Sequence, residues 1–239
     1  MRIALFAIFA ASLITLATAQ NLNPPSPNST PPKIGPMAKP APALQLTLSN
    51  PQVKVLRINL PPHGSVPIRR EIHDYVLLAI TGGSLDAGGN LVELAAGEPL
   101  VMRGGWSHTL RSRSEQPTSW VLVETTNALQ PEKAVCGLGG ANCTQFRFGK
   151  GDAGEYEENL LFETLSVRVS RIKLGAASGL PTHTDRRDHL VIAMKDCNLS
   201  VNGGAYDSKA GDSLWLRGAL PEFRNTGAEP VQLVMMEIK

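Results

Sequence analysis

The histidines of this chain and the acidic residues close to them are the side chains best suited to chemistry. His183 and His189, two of only five histidines, lie in the segment GLPTHTDRRDHLVI with Asp185 between them. In an extended chain, side chains two residues apart share a face, so His183 and Asp185 can point the same way. Two imidazole groups and one carboxylate are a set of ligands that suits Mn, Fe or Zn. The alternative is that they only hydrogen-bond one another on an ordinary strand.

These residues belong to the second copy of an internal repeat. Residues 53–67 (VKVLRINLPPHGSVP) align with residues 167–181 (VRVSRIKLGAASGLP), an offset of 167 − 53 = 114. The same offset aligns Asp74 with Asp188 and, beyond a one-residue deletion, PTSWVLVE aligns with PVQLVMME. A register kept over about 70 residues is typical of a tandem duplication.

Each repeat has the pattern of short β-strands. Segments such as VKVLRINL and DYVLLAIT alternate or run apolar and are bounded by Gly, Pro, Asn and Asp, which predicts strands joined by turns. Helical periodicity is weak, and the best helix candidate is GEYEENLLFETL, residues 154–165. The sequence therefore predicts an all-β protein with two antiparallel sandwich or jelly-roll domains.

The spacing of residues late in each repeat resembles the second motif of the cupin superfamily, G-x5-P-x-G-x2-H-x3-N. Repeat one has Gly97, Gly105 and His108 in place, with Arg103 where Pro is usual and Ser112 where Asn is usual. The corresponding residues of repeat two are Gly211, Arg217, Ala219 and Glu222. Over residues 50–239 the chain thus resembles a bicupin, which implies two tandem cupin-type jelly-roll β-barrels.

Cupin barrels hold a metal on three histidines and one glutamate, and repeat one departs from that pattern. Its four ligand positions are Arg69, Glu71, Tyr75 and His108. An arginine offers no lone pair to a cation, so we expect repeat one to lack a metal. These residues could line a pocket for a carboxylate or a polyol. Alternatively, Arg69 and Glu71 form only an ion pair at the open end of the barrel.

Repeat two retains more of the metal-ligating residue types. The resemblance gives four candidate ligands, His183, Asp185, His189 and Glu222. Pro221 competes with Glu222 for the fourth position, because Pro221-x3-Asn225 matches the end of the motif better. The cofactor expected here is one transition metal, Mn, Fe or Zn. The alternative is a degenerate barrel without a metal.

The N-terminal region indicates an exported protein. Residues 1–19 have one arginine, an apolar run and the ending Ala-Thr-Ala, which predicts a signal peptide cleaved after Ala19. Residues 20–44 are rich in Pro, Asn and Ser and are expected to form a flexible leader. We therefore expect a periplasmic or extracellular location, with no membrane span after cleavage. A net charge of +2 without basic clusters argues against nucleic acid as a partner.

The cysteines and the repeats together set the expected domains. Cys136 and Cys143 flank GLGGAN, a loop flexible enough to close a disulfide, which leaves Cys197 as a free buried thiol. We expect barrel 1 over residues 45–126, a connector over 127–162 and barrel 2 over 163–239.

Three functions agree with these features. The first is an exported bicupin-like protein with largely degraded metal sites that binds a small polar molecule in one barrel. The second is a metal-dependent enzyme of the dioxygenase, decarboxylase or isomerase type, working in barrel 2. The third is a structural or envelope-interaction scaffold. The barrels are expected to pair within the chain, and a homo-oligomer is a further expectation.

Overall fold

The described part of the chain is built almost entirely from β-strands. A computed structural model describes residues 43–68, 73–105, 107–138, 141–151, 154–181, 186–219 and 222–239. Stretches such as VKVLRINL form strands because apolar residues alternate with polar ones, so that one face of the sheet is buried. Within these ranges helical structure is limited to one 3-10 turn, Pro131–Lys133. No helix among the described residues has the length and apolar character needed to cross a bilayer.

The described residues of the first barrel form nine strands. They are β1 (Ala43–Ser49), β2 (Val53–Leu60), β3 (Ser65–Ile68), β4 (Tyr75–Ala79), β5 (Gly83–Ala87), β6 (Asn90–Leu94), β7 (Pro99–Met102), β8 (His108–Ser112) and β9 (Thr118–Thr125). One sheet has the order β1-β2-β9-β4-β7 and the other has the order β3-β8-β5-β6. Every pairing is antiparallel, which gives a two-sheet jelly-roll architecture.

The second barrel repeats this plan, and the structure describes one further strand before it, β10, whose equivalent positions in barrel 1 lie outside the described residues. Its strands are β10 (Phe146–Gly151), β11 (Gly154–Glu163), β12 (Val167–Leu174), β13 (Gly179–Leu180), β14 (Asp188–Ala193), β15 (Cys197–Val201), β16 (Gly204–Ser208), β17 (Ser213–Leu216), β18 (Phe223–Asn225) and β19 (Val231–Ile238). Its sheets have the orders β10-β11-β12-β19-β14-β17 and β13-β18-β15-β16. Removing β10 makes the two barrels identical in topology, so the structure confirms the two tandem all-β barrels that the sequence predicts.

The helix expected over residues 154–165 is wrong, because this segment forms most of β11. It pairs with β10 on one side and β12 on the other, and its burial alternates over the second half of the strand. The segment corresponds to β1 of barrel 1. Strand β1 has a register shift between Leu46 and Leu48, and β11 has one between Leu160 and Phe162, again an offset of 114. The duplication thus extends at least ten residues before Val53, to Ala43, where the described part of barrel 1 begins.

Three apolar clusters form the interior. One fills barrel 1 around Trp120 and Leu77, and another fills barrel 2 around Phe223 and Ile172. The third lies between the barrels, where the outer face of the β2 sheet packs against the outer face of the β12 sheet. Its members include Val55, Val123, Val169, Leu190 and Met236, each no more than 1% exposed. Sheet-on-sheet packing thus joins the two barrels as the sequence leads us to expect.

Two equivalent arginines border this interface. Arg57 on β2 contacts the Asp212 carboxylate (Nη1 to Oδ1 3.2 Å) and donates to the Ala210 carbonyl. Arg171 on β12, at 57 + 114, donates to the Gly97 carbonyl at 3.1 Å. Each barrel therefore extends an arginine to the turn before a strand of the other barrel, as a pseudo-two-fold axis requires.

The segment between the barrels carries the disulfide that the sequence predicts. Cys136 and Cys143 are bonded, with their Cα atoms 5.0 Å apart. Cys136 also forms a bridge to Glu163 at the end of β11. Cys197 is free and buried, as expected. The connector contains β10 and most of β11, so much of it belongs to the sheet of barrel 2.

Candidate functional site

Two of the four predicted pocket residues of barrel 1 meet at one end of its interior. Tyr75 begins β4 and is 1% exposed, and His108 begins β8 in the opposite sheet. Tyr75 Oη and His108 Nε2 are hydrogen-bonded, and the two rings are nearly parallel, with an interplanar angle of 8° and centroids 5.8 Å apart. Arg69 and Glu71, the other two predicted residues, lie outside the described residues.

A buried carboxylate stands beside this pair in the ladder of the sheet. Glu124 on β9 is the cross-strand partner of Tyr75, and its side chain is 6% exposed. It pairs with Lys54 Nζ at 3.0 Å and with His73 Nδ1 at 3.1 Å. The burial of this carboxylate is therefore offset by two partners. Neither His73 nor Glu124 stands at a ligand position of the cupin pattern, so the sequence pattern does not single them out.

Barrel 2 contains the same ionic arrangement with other residue types. Glu237, at the position of Glu124, contacts Arg187 at 3.2 Å and Arg168 at 3.5 Å. Arg187 replaces His73 and Arg168 replaces Lys54, both at the offset of 114. The duplication therefore includes the ion pairs of Glu124 and Glu237 at the same end of each barrel. Arg187, near the candidate metal ligands, has a carboxylate partner in Glu237.

The described donors of barrel 1 do not fit a metal ion. The Nε2 atom of His108 engages the Tyr75 hydroxyl, and the sequence resemblance puts Arg69, which lies outside the described residues, at another ligand position. A guanidinium has no lone pair to donate. The groups that the cupin pattern would use as ligands are here suited to hydrogen bonding with each other and with a polar molecule.

In barrel 2 the structure describes two of the four predicted metal ligands. His189 is 2% exposed and begins the inner face of β14, next to the buried Val191 and Ala193. His183 and Asp185 lie outside the described residues. Among the residues that the structure does describe, no three His, Cys, Asp or Glu side chains are grouped to hold a metal.

The fourth predicted ligand, Glu222, does not point into the barrel. Its side chain is 61% exposed and lies 3.6 Å from Arg224. The next residue, Phe223, is fully buried in the barrel core, and adjacent side chains of a strand point to opposite faces. Glu222 is therefore corrected from a candidate metal ligand to a surface residue.

The strand register explains this correction. Leu85 of β5 pairs with Ser112, and Leu199 of β15 pairs with Asn225, so the offset here is 225 − 112 = 113. The deleted residue thus precedes Phe223, and the position of His108 corresponds to Pro221, at 108 + 113. The register therefore supports the alternative alignment of the motif, in which Pro221 and not Glu222 takes the fourth position.

Comparisons with known proteins agree with this architecture. No family model matches the sequence, and no curated protein matches it. Among solved structures, AerE from Microcystis aeruginosa is similar over 84% of this chain and 98% of that chain, with a TM-score of 0.58 and 10% identity. A cupin 2 conserved barrel domain protein from Leptotrichia buccalis is similar over 83% and 89%, with a TM-score of 0.54 and 13% identity.

An enzyme is also among these neighbours. Salicylate 1,2-dioxygenase from Pseudaminobacter salicylatoxidans is similar over 82% of this chain and 76% of that chain, with a TM-score of 0.55 and 12% identity. Identities this low show the fold alone. The repeated motif, the matching topology of the two barrels and these neighbours together identify the chain as a two-barrel protein with the fold of the cupin superfamily.

Proposed function

We propose that the chain is an exported two-barrel cupin-type protein that binds a small polar molecule at the Tyr75 end of barrel 1. The observation that carries this proposal is the hydrogen-bonded pair of Tyr75 and His108, with nearly parallel rings, at positions where the resemblance places metal ligands. A phenol and an imidazole held inside a barrel can donate and accept hydrogen bonds to one bound molecule.

The residue types around this pair favour a ligand with carboxylate or hydroxyl groups. The sequence places Arg69 and Glu71 at the two remaining ligand positions of the same barrel. A guanidinium binds a carboxylate through two parallel hydrogen bonds, and a carboxylate accepts hydrogen bonds from hydroxyl groups. The rest of the interior is closed by large apolar side chains such as Trp120 and Leu110, which favours a small ligand at the end of the barrel.

Calorimetric titration with succinate and with glycerol or xylitol tests this function. We expect one of these probes to bind the wild-type protein, and Tyr75→Phe to weaken that binding about five- to tenfold by removing one hydrogen bond. Arg69→Gln should abolish succinate binding. His63→Gln is the matched control, since His63 is an exposed residue paired with Glu115. Unchanged affinity in Tyr75→Phe and Arg69→Gln, or no binding of any probe, would contradict the proposal.

The disulfide supports the proposed export. Disulfides persist in oxidising compartments, and the Cys136–Cys143 bond agrees with a signal peptide at residues 1–19. Determining the N-terminus of the protein secreted by its host tests this point, and we expect it to be Gln20. A cytosolic protein that keeps residues 1–19 would contradict export without affecting the pocket.

A metal site in barrel 2 is the second candidate, and the burial of His189 on the inner face of β14 favours it. His183, Asp185 and His189 would hold the ion, which would supply a Lewis acid. Mass spectrometry of the untagged protein and of His183→Ala tests it. A near-stoichiometric transition metal that disappears in the variant would support the site. No metal in either protein, even after loading with Mn, Fe and Zn, would exclude it.

A further inference from the structure

A cavity of about 260 Å³ opens in the side of barrel 2, between the edge strands β16 and β17, and Thr47 on β1 of barrel 1 also lines it. Its floor is apolar and consists of Val191, Ala193, Leu199 and Leu214. A cavity of about 150 Å³ with such a lining can hold benzene. This one is large enough for a ring with a substituent. We call it the lateral cavity of barrel 2.

The lateral cavity begins close to the candidate site of the same barrel and extends away from it. Along β14, the lining residues Val191 and Ala193 lie two and four residues beyond His189. At about 3.3 Å per residue, these separations are roughly 7 and 13 Å. His189 itself does not line the cavity, so the cavity opens beside the cupin-type ligand positions of this barrel.

The comparison of the two barrels shows which residues create the cavity. With the offset of 114, Leu77 corresponds to Val191 and Leu94 corresponds to Ser208. In barrel 1, Leu77 belongs to the core and Leu94 packs against it. In barrel 2 both positions line the lateral cavity and carry smaller side chains. At these two positions barrel 2 therefore leaves more space between the sheet edges than leucine side chains would.

The polar part of the lining favours a neutral ligand. Tyr206, Ser208 and Ser213 provide hydroxyl groups, while Asp207 and Asp212 provide carboxylates. Both carboxylates are paired with cations outside the lining, Asp207 with Lys209 at 3.3 Å and Asp212 with Arg57 at 3.2 Å. These pairs leave no uncompensated charge that would attract an ion, whereas a neutral hydroxyl group can donate to a carboxylate oxygen.

From this lining we infer that the lateral cavity is a second binding site, which takes a small, neutral, mainly apolar ring compound carrying a hydroxyl group. The aromatic ring of Tyr206 and the apolar floor would contact the ring of the ligand. The rim would orient its hydroxyl group, because a few polar groups in an apolar pocket determine orientation. This inference does not depend on the proposed site at Tyr75.

Titration of the ¹⁵N-labelled mature chain with phenol, cyclohexanol and benzoate tests the site. We expect phenol and cyclohexanol to shift the amide signals of Val191, Leu199 and Tyr206. Benzoate should bind at least about tenfold more weakly than phenol. Val191→Leu and Ser208→Leu restore the residues of barrel 1, so both should fold normally. Each should reduce the affinity for phenol at least about tenfold.

Ser200→Leu is the matched control, because Ser200 lies on the neighbouring strand β15 and does not line the cavity. It should bind phenol like the wild type. Phenol affinity that stays the same in both filling variants would overturn the site. So would the absence of any shift with phenol and cyclohexanol, or tighter binding of benzoate than of phenol.

Discussion

At the scale of single residues, Asn225 shows that part of the cupin motif serves the fold. It is fully buried, and its Nδ2 donates to the carbonyls of Gly175 and Glu229 at 2.8 Å each. Its Oδ1 accepts from Gly227 N at 2.9 Å. Asn225→Ala leaves these backbone groups without that partner, and we expect it to lower the free energy of unfolding by about 2–4 kcal/mol in urea denaturation.

Asn225→Ser is the informative comparison, because Ser112 stands at the equivalent position of barrel 1. Its hydroxyl can replace part of the hydrogen bonding, so its cost should be smaller than that of the alanine variant. A cost below about 0.5 kcal/mol for Asn225→Ala would show that the three hydrogen bonds do not stabilise the barrel.

Cys197 gives a prediction about pH. Burial raises the pKa of its thiol above the usual 9.0, and the nearby Asp196 carboxylate adds to the effect. The folded protein therefore keeps a proton that the unfolded chain loses as the pH rises past 9.0. The contribution to stability is complete below that pH and is lost as the pH rises through the raised pKa.

The measurement is the rate at which Ellman's reagent modifies the folded protein. Cys197 should react slowly in the native state near neutral pH and completely in denaturant, because the thiolate is the reactive form. Its reaction rate in the native state should rise only at alkaline pH. Fast reaction of the folded protein at neutral pH would show an accessible thiol with an ordinary pKa.

Glu222 marks the limit of what the sequence could predict at a single site. The offset of 114 is still valid at Gly218, whose N–H donates to Asp188 as that of Gly104 donates to Asp74. By Phe223 the offset is 113. The intervening residues share no identity with those of repeat one, so the sequence could not place the deletion. A one-residue shift reverses the face of a strand, and this determines whether Glu222 points inwards.

At the scale of elements, β11 shows how local sequence misleads. Residues 154–165 contain several Glu and Leu, which have good helix propensity. The segment nevertheless forms a strand, because β12 offers a partner along nearly its whole length. Glu158 on β11 pairs with the largely buried Arg168 at 3.3 Å and bonds Ser170. Tertiary pairing thus outweighs propensity, and only the repeat alignment with β1 could have indicated it.

The disulfide is the element whose removal we expect to matter most for the connector. It closes a loop of sequence separation 7 next to the end of β11. In the chain-entropy model such a bond contributes about 2–3 kcal/mol. The double variant Cys136→Ser/Cys143→Ser should lose that amount in thermal or urea unfolding, and reduction of the wild type should have a similar effect. Equal stability with and without reducing agent would mean that the bond contributes nothing to the fold.

At the scale of the whole molecule, the duplication was the most predictable property. The register of 114 depends on many residues, so single substitutions do not hide it. Strand β10 was not predictable in this way, because the repeat that the sequence shows begins only at Val53. The apolar cluster between the barrels follows from strands such as LVIAM and WVLV, which are apolar on both faces because each sheet is covered twice.

The two equivalent arginines at the interface allow us to measure how much the contacts between the barrels stabilise the fold. Arg57 and Arg171 each hydrogen-bond a backbone carbonyl of the other barrel. We expect Arg57→Ala and Arg171→Ala each to lower the free energy of unfolding by about 1–3 kcal/mol, since hydrogen bonds to charged groups contribute that much. Lys173→Ala is the control on the same strand, because Lys173 is an exposed residue paired with Glu157. It should cost less than about 0.5 kcal/mol.

The double variant separates two views of the interface. If the pseudo-two-fold contacts act independently, the costs of Arg57→Ala and Arg171→Ala add to within about 0.5 kcal/mol, and unfolding in urea stays a single transition. If the arginines hold the barrels together as a unit, the loss of both exceeds the sum and two transitions appear. We expect additivity, because the apolar cluster of Val55, Val123 and Val169 still covers the interface when both side chains are gone.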